Sequence, residues 1–207
     1  QDSRFYARSA NVPMLEPSTS QEAKDFLKKA YEISEKFDTP VIVRSTTRLS
    51  HSRGIVQTEE RQAVSLKDYN KDASKYVMMP GMAIKRHVFV EQRTKDLVSF
   101  AETTELNTEE INSTDIGVVT SGVCYQYVKE ALPDASVLKL GMVYPINTDR
   151  IAKFAKKVKK LYVVEELEPF FEKQIKAAGI PCTGKELFTI QGEYSVNMIK
   201  KNILGED

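Results

Sequence analysis

Two hydrophobic rhythms alternate along the chain. Ala23, Phe26, Leu27, Ala30, Tyr31 and Ser34 recur at helical spacing and form one stripe. They predict a helix from near Thr19 to near Phe37. Thr19 and Glu22 have the spacing of a capping box, which satisfies two amides that a first helical turn leaves unpaired. Asp38-Thr39-Pro40 then reads as a turn, and residues 40–47 as a buried strand rich in β-branched side chains. Residues 1–18, with Pro13 and Pro17 as breakers, read as a loop or strand-like entry.

The second half repeats the unit more clearly. Residues 115–121, 136–144 and 161–165 are apolar, β-branched runs and predict strands, with a short fourth over 180–183. Between them, Val123, Tyr127, Val128, Ala131 and Leu132 share one helical face. Asn147 stands where it can cap a helix carrying Ile151, Phe154, Ala155 and Val158. A further helix is expected from Glu168-Pro169 to Gly179, and a last one over residues 194–203. Such alternation predicts an α/β fold, a mostly parallel sheet flanked by helices. Residues 48–85 show no clean period. They suggest a short helix over 68–76 and a turn at Met78–Met82, with a helix following over 87–106.

Composition narrows the function. The 207 residues carry a formal net charge of +1 with signs interspersed, which offers no field for nucleic acid or an anionic membrane. No apolar run approaches a membrane span. The chain opens on Gln1 in mid-pattern, with no leader signature, so further sequence upstream is expected. Cys124 and Cys182 both sit in apolar contexts and read as reduced core thiols of a cytoplasmic protein, with a structural disulfide between them as the alternative. Two histidines and no Cys-x-x-Cys give no expectation of a zinc or iron–sulfur site within the chain.

Ligands of open α/β sheets bind beyond the carboxyl ends of the strands. Three stretches qualify. Residues 45–54 gather hydroxyls, Arg48, His51 and Arg53; Arg48 suits a carboxylate or phosphate, and His51 a proton exchange. The plainer account is a polar turn with Arg48 in an ordinary ion pair. Thr120, Ser121 and Gly122 stand between a strand and a helix, where amides and hydroxyls can hold an anion. No dinucleotide fingerprint or phosphate-binding loop accompanies them, so a capped tight turn explains them equally. Glu165, Glu166 and Glu168 crowd a strand end; paired carboxylates can divide acid and base roles, but the positive end of a helix also favours them. An enzyme built on Glu165, Glu166 and His51 would need these groups to converge. A small anion-binding module at Thr120–Gly122 is the other self-contained alternative.

Read together, several segments resemble one family. Gln1-Asp-Ser-Arg-Phe-Tyr-Ala7, Pro13-Met-Leu-Glu-Pro-Ser18, Gln21-Glu-Ala-Lys24 and, most specifically, Arg44-Ser-Thr-Thr-Arg-Leu-Ser-His51 resemble the α subunit of indolepyruvate:ferredoxin oxidoreductases. Gly141-Met-Val-Tyr-Pro-Ile146 and Tyr162-Val-Val-Glu-Glu166 resemble the domain that follows. The resemblance implies oxidative decarboxylation of an aryl 2-oxoacid on thiamine diphosphate with magnesium. Electrons would leave through iron–sulfur clusters to ferredoxin, and coenzyme A would take the acyl group; the pyruvate enzyme is the alternative within the class. It implies that residues 1–54 are the tail of a pyrimidine-binding domain, 55–109 a linker with a helix, and 110–207 a transketolase C-terminal-like domain. The thiamine-activating glutamate would lie upstream and the magnesium-binding motif downstream. The chain would then be catalytically inert alone, with no cofactor of its own, and would contact other domains of its subunit and a β subunit. Arg48, Ser50 and His51 become substrate-side or interface candidates. Segment 1–54 is expected to pack poorly on its sheet, or to self-associate.

Overall fold

The computed structural model describes residues 2–205. It opens with a helix, α1 (Arg4–Ala10), where the sequence suggested a loop or strand-like entry. Pro13 and Pro17 lie beyond this helix and break nothing; Asn11 ends it in the left-handed conformation at φ 52°. Next come β1 (Met14–Leu15) and α2 (Ser20–Phe37). The Thr19 hydroxyl accepts from the Glu22 amide at 3.0 Å, as the capping spacing predicts. The Glu22 carboxylate reaches one residue further back than expected. It accepts from the Ser18 amide and hydroxyl at 2.8 and 2.7 Å.

The strand expected over 40–47 shrinks to β2 (Ile42–Val43), because Thr46 caps a short helix, α3 (Thr47–His51). A stretch without regular structure leads to α4 (Ala73–Tyr76) and the long α5 (Pro80–Thr103). Pro80 stands at the start of α5, where its missing amide costs nothing, so the expected turn at Met78–Met82 partly becomes helix. The rest follows in order: β3 (Thr108–Glu110), β4 (Ile116–Thr120), α6 (Gly122–Ala131), β5 (Ser136–Lys139), β6 (Met142–Tyr144), α7 (Thr148–Ala155), β7 (Lys160–Val164), α8 (Phe170–Ala177) and α9 (Val196–Leu204). The short strand expected over 180–183 is a single bridge, Thr183 to Tyr162.

The larger sheet has the order β3-β5-β4-β7. β4 runs parallel to both neighbours, and only the edge strand β3 is antiparallel. The run 136–144 divides into two strands serving different sheets. β5 stays in the large sheet, while β6 joins a small one of order β2-β1-β6. Gly141 stands at the division, where an added Cβ would lie 2.2 Å from the Leu106 carbonyl oxygen.

This division corrects the expected loose packing of the N-terminal segment. β1 pairs with β6, and Ala7 and Met14 share a core with Val119, Leu138, Val143, Phe170 and Phe171. Leu15, Phe26, Ala30 and Ile33 pack with Leu97, Ala101, Leu106 and Met142 in a second core. Residues on α6 and α9 close the opposite face of the sheet around Val118, Val137 and Val164. The N-terminal segment is a wedge built into the sheet's architecture.

Candidate functional site

The wedge enters the place where an α/β sheet keeps its ligands. At the carboxyl end of β4, Thr120 donates its hydroxyl to the Val164 carbonyl at 2.8 Å and so ties β4 to β7. Ser121 donates to a carboxylate oxygen of Glu16 at 2.9 Å. Gly122 has φ +51°, and a Cβ there would stand 2.6 Å from the other oxygen of Glu16. Of residues 120–122, only Ser121 bonds the Glu16 carboxylate; the Thr120 hydroxyl is turned to β7 and Gly122 makes room for Glu16. β1 delivers that carboxylate; the Glu16 amide donates to the Gly141 carbonyl at 2.8 Å. Arg44, just past β2, pairs with Glu16 from the other side and donates its Nε to the Ser3 hydroxyl at 3.0 Å.

A second internal pair lies beyond β7. Arg4, 2 % exposed, pairs with Glu165 at 2.6 Å and Asp2 at 2.5 Å. It also donates to the carbonyls of Glu166 and Glu168 at 2.9 and 3.0 Å, and its guanidinium lies 5.2 Å from the ring centres of Phe170 and Phe171. Glu165 accepts in turn from the amides of Phe171 and Glu172 at the start of α8, where the helix dipole favours negative charge. Burial alone would raise the Asp2 carboxyl, but the hydrogen bonds and charge of Arg4 outweigh it and hold Asp2 low. Burial pushes Glu165 up against the pull of the same Arg4.

The third internal pair caps β5. Lys139, at the end of that strand, meets Glu22 from α2 and lies 4.8 Å from the ring centre of Tyr125. The Tyr125 hydroxyl donates to Glu110, which Lys129 also holds, each at 2.5 Å. Lys185 completes the seal, donating to the Glu165 carbonyl at 2.6 Å and the Tyr194 hydroxyl at 2.7 Å.

The stretch 45–54 lies outside this network. Arg48 pairs with Glu193 on the surface, Ser50 shares a hydrogen bond with Ser45 at 2.7 Å, and His51 is exposed at the end of α3. Glu165 is sealed against Arg4, so Glu165, Glu166 and His51 do not form a joint acid–base centre. Both cysteines are free thiols; burial raises the Cys124 thiol well above its ordinary range. Sequence reasoning missed Asp2, Arg4, Glu16, Arg44 and Lys139. A signal existed for Glu16: a lone charge between Leu15 and Pro17, inside an otherwise apolar run.

The fold is of the α/β class, and two solved structures share it. It resembles a 2-oxoglutarate:ferredoxin oxidoreductase from Magnetococcus marinus with 2-oxoglutarate, coenzyme A and succinyl-CoA bound (TM-score 0.60, 15 % identity, 93 % of this chain, 42 % of that one). It also resembles a split-gene transketolase, an inactive beta4 tetramer (TM-score 0.52, 13 % identity, 94 % of this chain, 57 % of that one). Residues 1–116 match the family described as "Pyruvate flavodoxin/ferredoxin oxidoreductase, thiamine diP-bdg", and the chain belongs to it. Curated relatives named indolepyruvate oxidoreductase subunit IorA align along nearly its whole length. That of Methanothermobacter marburgensis is 37 % identical over 99 % of this chain, and that of Archaeoglobus fulgidus 34 % over 98 %. The chain spans 36 % and 34 % of their lengths, about a third.

The crevice beyond β4 is filled by Glu16, leaving no room even for a Cβ on Gly122. Among the described residues, no three His, Cys, Asp or Glu side chains gather to hold a metal ion. No helix among them is long and apolar enough to cross a membrane.

Proposed function

We propose that this chain is the non-catalytic joint of an indolepyruvate-type 2-oxoacid:ferredoxin oxidoreductase. In that reading residues 1–54 close a pyrimidine-binding domain, 55–109 link, and 110–207 form a transketolase C-terminal-like domain. One observation carries it: the anion positions of the sheet are taken by Glu16, Glu22 and Glu165, paired with Arg44, Lys139 and Arg4. A sheet whose crevice is closed by its own charges transmits position and does no chemistry there. The whole subunit would take an aryl 2-oxoacid, with thiamine diphosphate, magnesium and iron–sulfur clusters held elsewhere. A β subunit, ferredoxin and coenzyme A would be its partners. Arg48 and His51 are exposed and would meet another domain or the β subunit; Ser50 would set the turn between them.

Calorimetric titration with thiamine diphosphate and magnesium tests the joint reading. The chain alone should give no binding heat. Stoichiometric tight binding would mean that a complete cofactor site is present, and the reading would fail. The substrate is tested separately, on the full-length subunit with its partner. Indolepyruvate should drive coenzyme A-dependent reduction of ferredoxin faster than pyruvate does; the reverse order would favour the pyruvate alternative.

A further inference from the structure

Two joints hold the N-terminal part of the chain to the rest, one covalent and one made by packing. The covalent one carries almost no contacts. Between residues 58 and 71, no backbone amide or carbonyl has a partner among the described residues. Every side chain there is exposed, with Val64 at 84 % and Leu66 at 100 %. Only surface pairs tie the stretch to α2, Glu59 with Lys28 at 3.1 Å and Lys67 with Glu35. Exposed backbone free of hydrogen bonds is what a protease needs to draw a strand into its cleft. Arg61 and Lys67 stand in the middle of it.

The packed joint is the opposite. β1 pairs with β6, and the Glu16 amide donates to the Gly141 carbonyl at 2.8 Å. Arg4 meets Glu165 at 2.6 Å, and Ser121 donates to Glu16 at 2.9 Å. Lys29 pairs with Glu105 at 2.8 Å, and Arg93 donates to the Asp38 carbonyl at 2.7 Å. The rings of Phe5 and Phe170 stand 5.3 Å apart, and those of Phe37 and Phe100 5.4 Å. Met14, Leu15 and Phe26 are buried in cores that both parts share. To such a joint a flexible link adds only an effective concentration, on the order of millimolar.

We propose that residues 58–71 are a cleavage site for trypsin-type proteases, and that the cut chain remains one folded body. Hydrolysis after Arg61 adds one water across one peptide bond, leaving a carboxylate on Arg61 and an amine on Gln62. It breaks no contact of the packed joint, because none passes through the stretch. The link is a tether that positions nothing, and two polypeptides broken here carry the same fold as one.

Limited trypsin digestion of the 207-residue chain tests this. The first cut should fall after Arg61, Lys67 or Lys71. At micromolar concentration the two pieces should leave a sizing column together, at the position of the uncut chain, and part only in denaturant. The thermal midpoint of the cut chain should rise with protein concentration more steeply than that of the uncut chain, since unfolding now releases two pieces. Replacing all three residues, Arg61→Gln, Lys67→Gln and Lys71→Gln, should abolish that cut and leave the uncut midpoint unchanged. A first cut elsewhere, or a triple variant cut as fast as the wild type, would overturn the site. Pieces that part without denaturant would overturn the single body. So would equal concentration dependence before and after the cut, because the two parts would then unfold independently. None of these outcomes involves cofactor binding, so the joint reading can fail without the tether, and the tether without it.

Discussion

Two regions of this molecule use the same charged and aromatic residue types in opposite ways. In the crevice, charges are buried, each held by several partners, and aromatic rings cover Arg4. Along residues 55–79, charges form exposed surface pairs with α2 and its cap, such as Lys28 with Glu59 and Lys75 with Asp38, while Leu66 and Tyr69 face water. The difference lies in desolvation. A buried charge must be fully paired to exist at all, so its network is specific and costly to break. A surface pair gains little and constrains little. Composition therefore does not separate the two regions, and burial does.

The largest expected effect tests the buried side. Arg4→Ala removes the cation and leaves Asp2 and Glu165 facing each other without water. Denaturant unfolding should show a loss of about 3–5 kcal/mol, enough to unfold a marginal domain. Arg4→Met, which keeps the bulk against Phe170 and Phe171, should recover only part of it, because the two carboxylates remain unpaired. Full recovery with Met would make Arg4 a packing residue and dissolve the contrast.

Acid sharpens the same point. Asp2, Glu22 and Glu110 all titrate below their ordinary values of 3.8, 4.5 and 4.5 in the folded chain. Burial would raise each; Arg4 for Asp2, Lys139 and Ser18 for Glu22, and Lys129 and Tyr125 for Glu110 outweigh it. The unfolded chain then binds more protons, so their stabilisation is fully present above about pH 4.5 and is lost as pH falls through the lower folded values. Glu165, raised by burial, opposes this by gaining relative stability on protonation. Thermal midpoints should fall steeply below pH 4.5 and more gently in Glu22→Gln, which no longer has that carboxylate to protonate. Identical acid profiles would remove Glu22 from the account.

One substitution should take opposite signs in the two regions. Gly122→Ala forces a side chain into a left-handed φ of +51° and against Glu16, and should cost about 1–3 kcal/mol. Gly81→Ala, just past the 55–79 segment at the exposed start of α5 with nothing within 4 Å, should stabilise by a few tenths to about 1 kcal/mol through helix propensity. Equal shifts in the unfolding midpoint would mean that Glu16 yields freely and the crevice is softer than its geometry.

Much of the fold was legible from patterning. The alternation after residue 115, the Thr19 cap and the Asn147 cap all stand where spacing put them. The split of 136–144 was not, because β5 and β6 are equally buried and only a close approach at Gly141 marks where their sheets part. The site was half legible. The turn at Thr120–Gly122 stood out, yet the carboxylate that Ser121 meets comes from about a hundred residues earlier, and no local spacing encodes a pairing of Ser121 with Glu16. Helix α1 escaped notice because its burial is carried by Arg4 and Ala7, a charge and a methyl, which make no hydrophobic stripe.

The smallest effect belongs to the surface segment, and its smallness is the test. Lys28→Ala and Lys67→Ala remove the links to Glu59 and Glu35, pairs exposed on both sides. The unfolding midpoint should not move for either variant, and high salt should leave the wild-type midpoint equally still, since screened surface pairs hold nothing up. Hydrogen exchange then gives the comparison its scale. Amides between residues 60 and 72 should exchange as in an open chain, while those of β4 and β7 should wait for global unfolding. If Lys67→Ala did lower the midpoint, the segment would be a packed strap, and the boundary between the two regions would lie elsewhere than at the limit of burial.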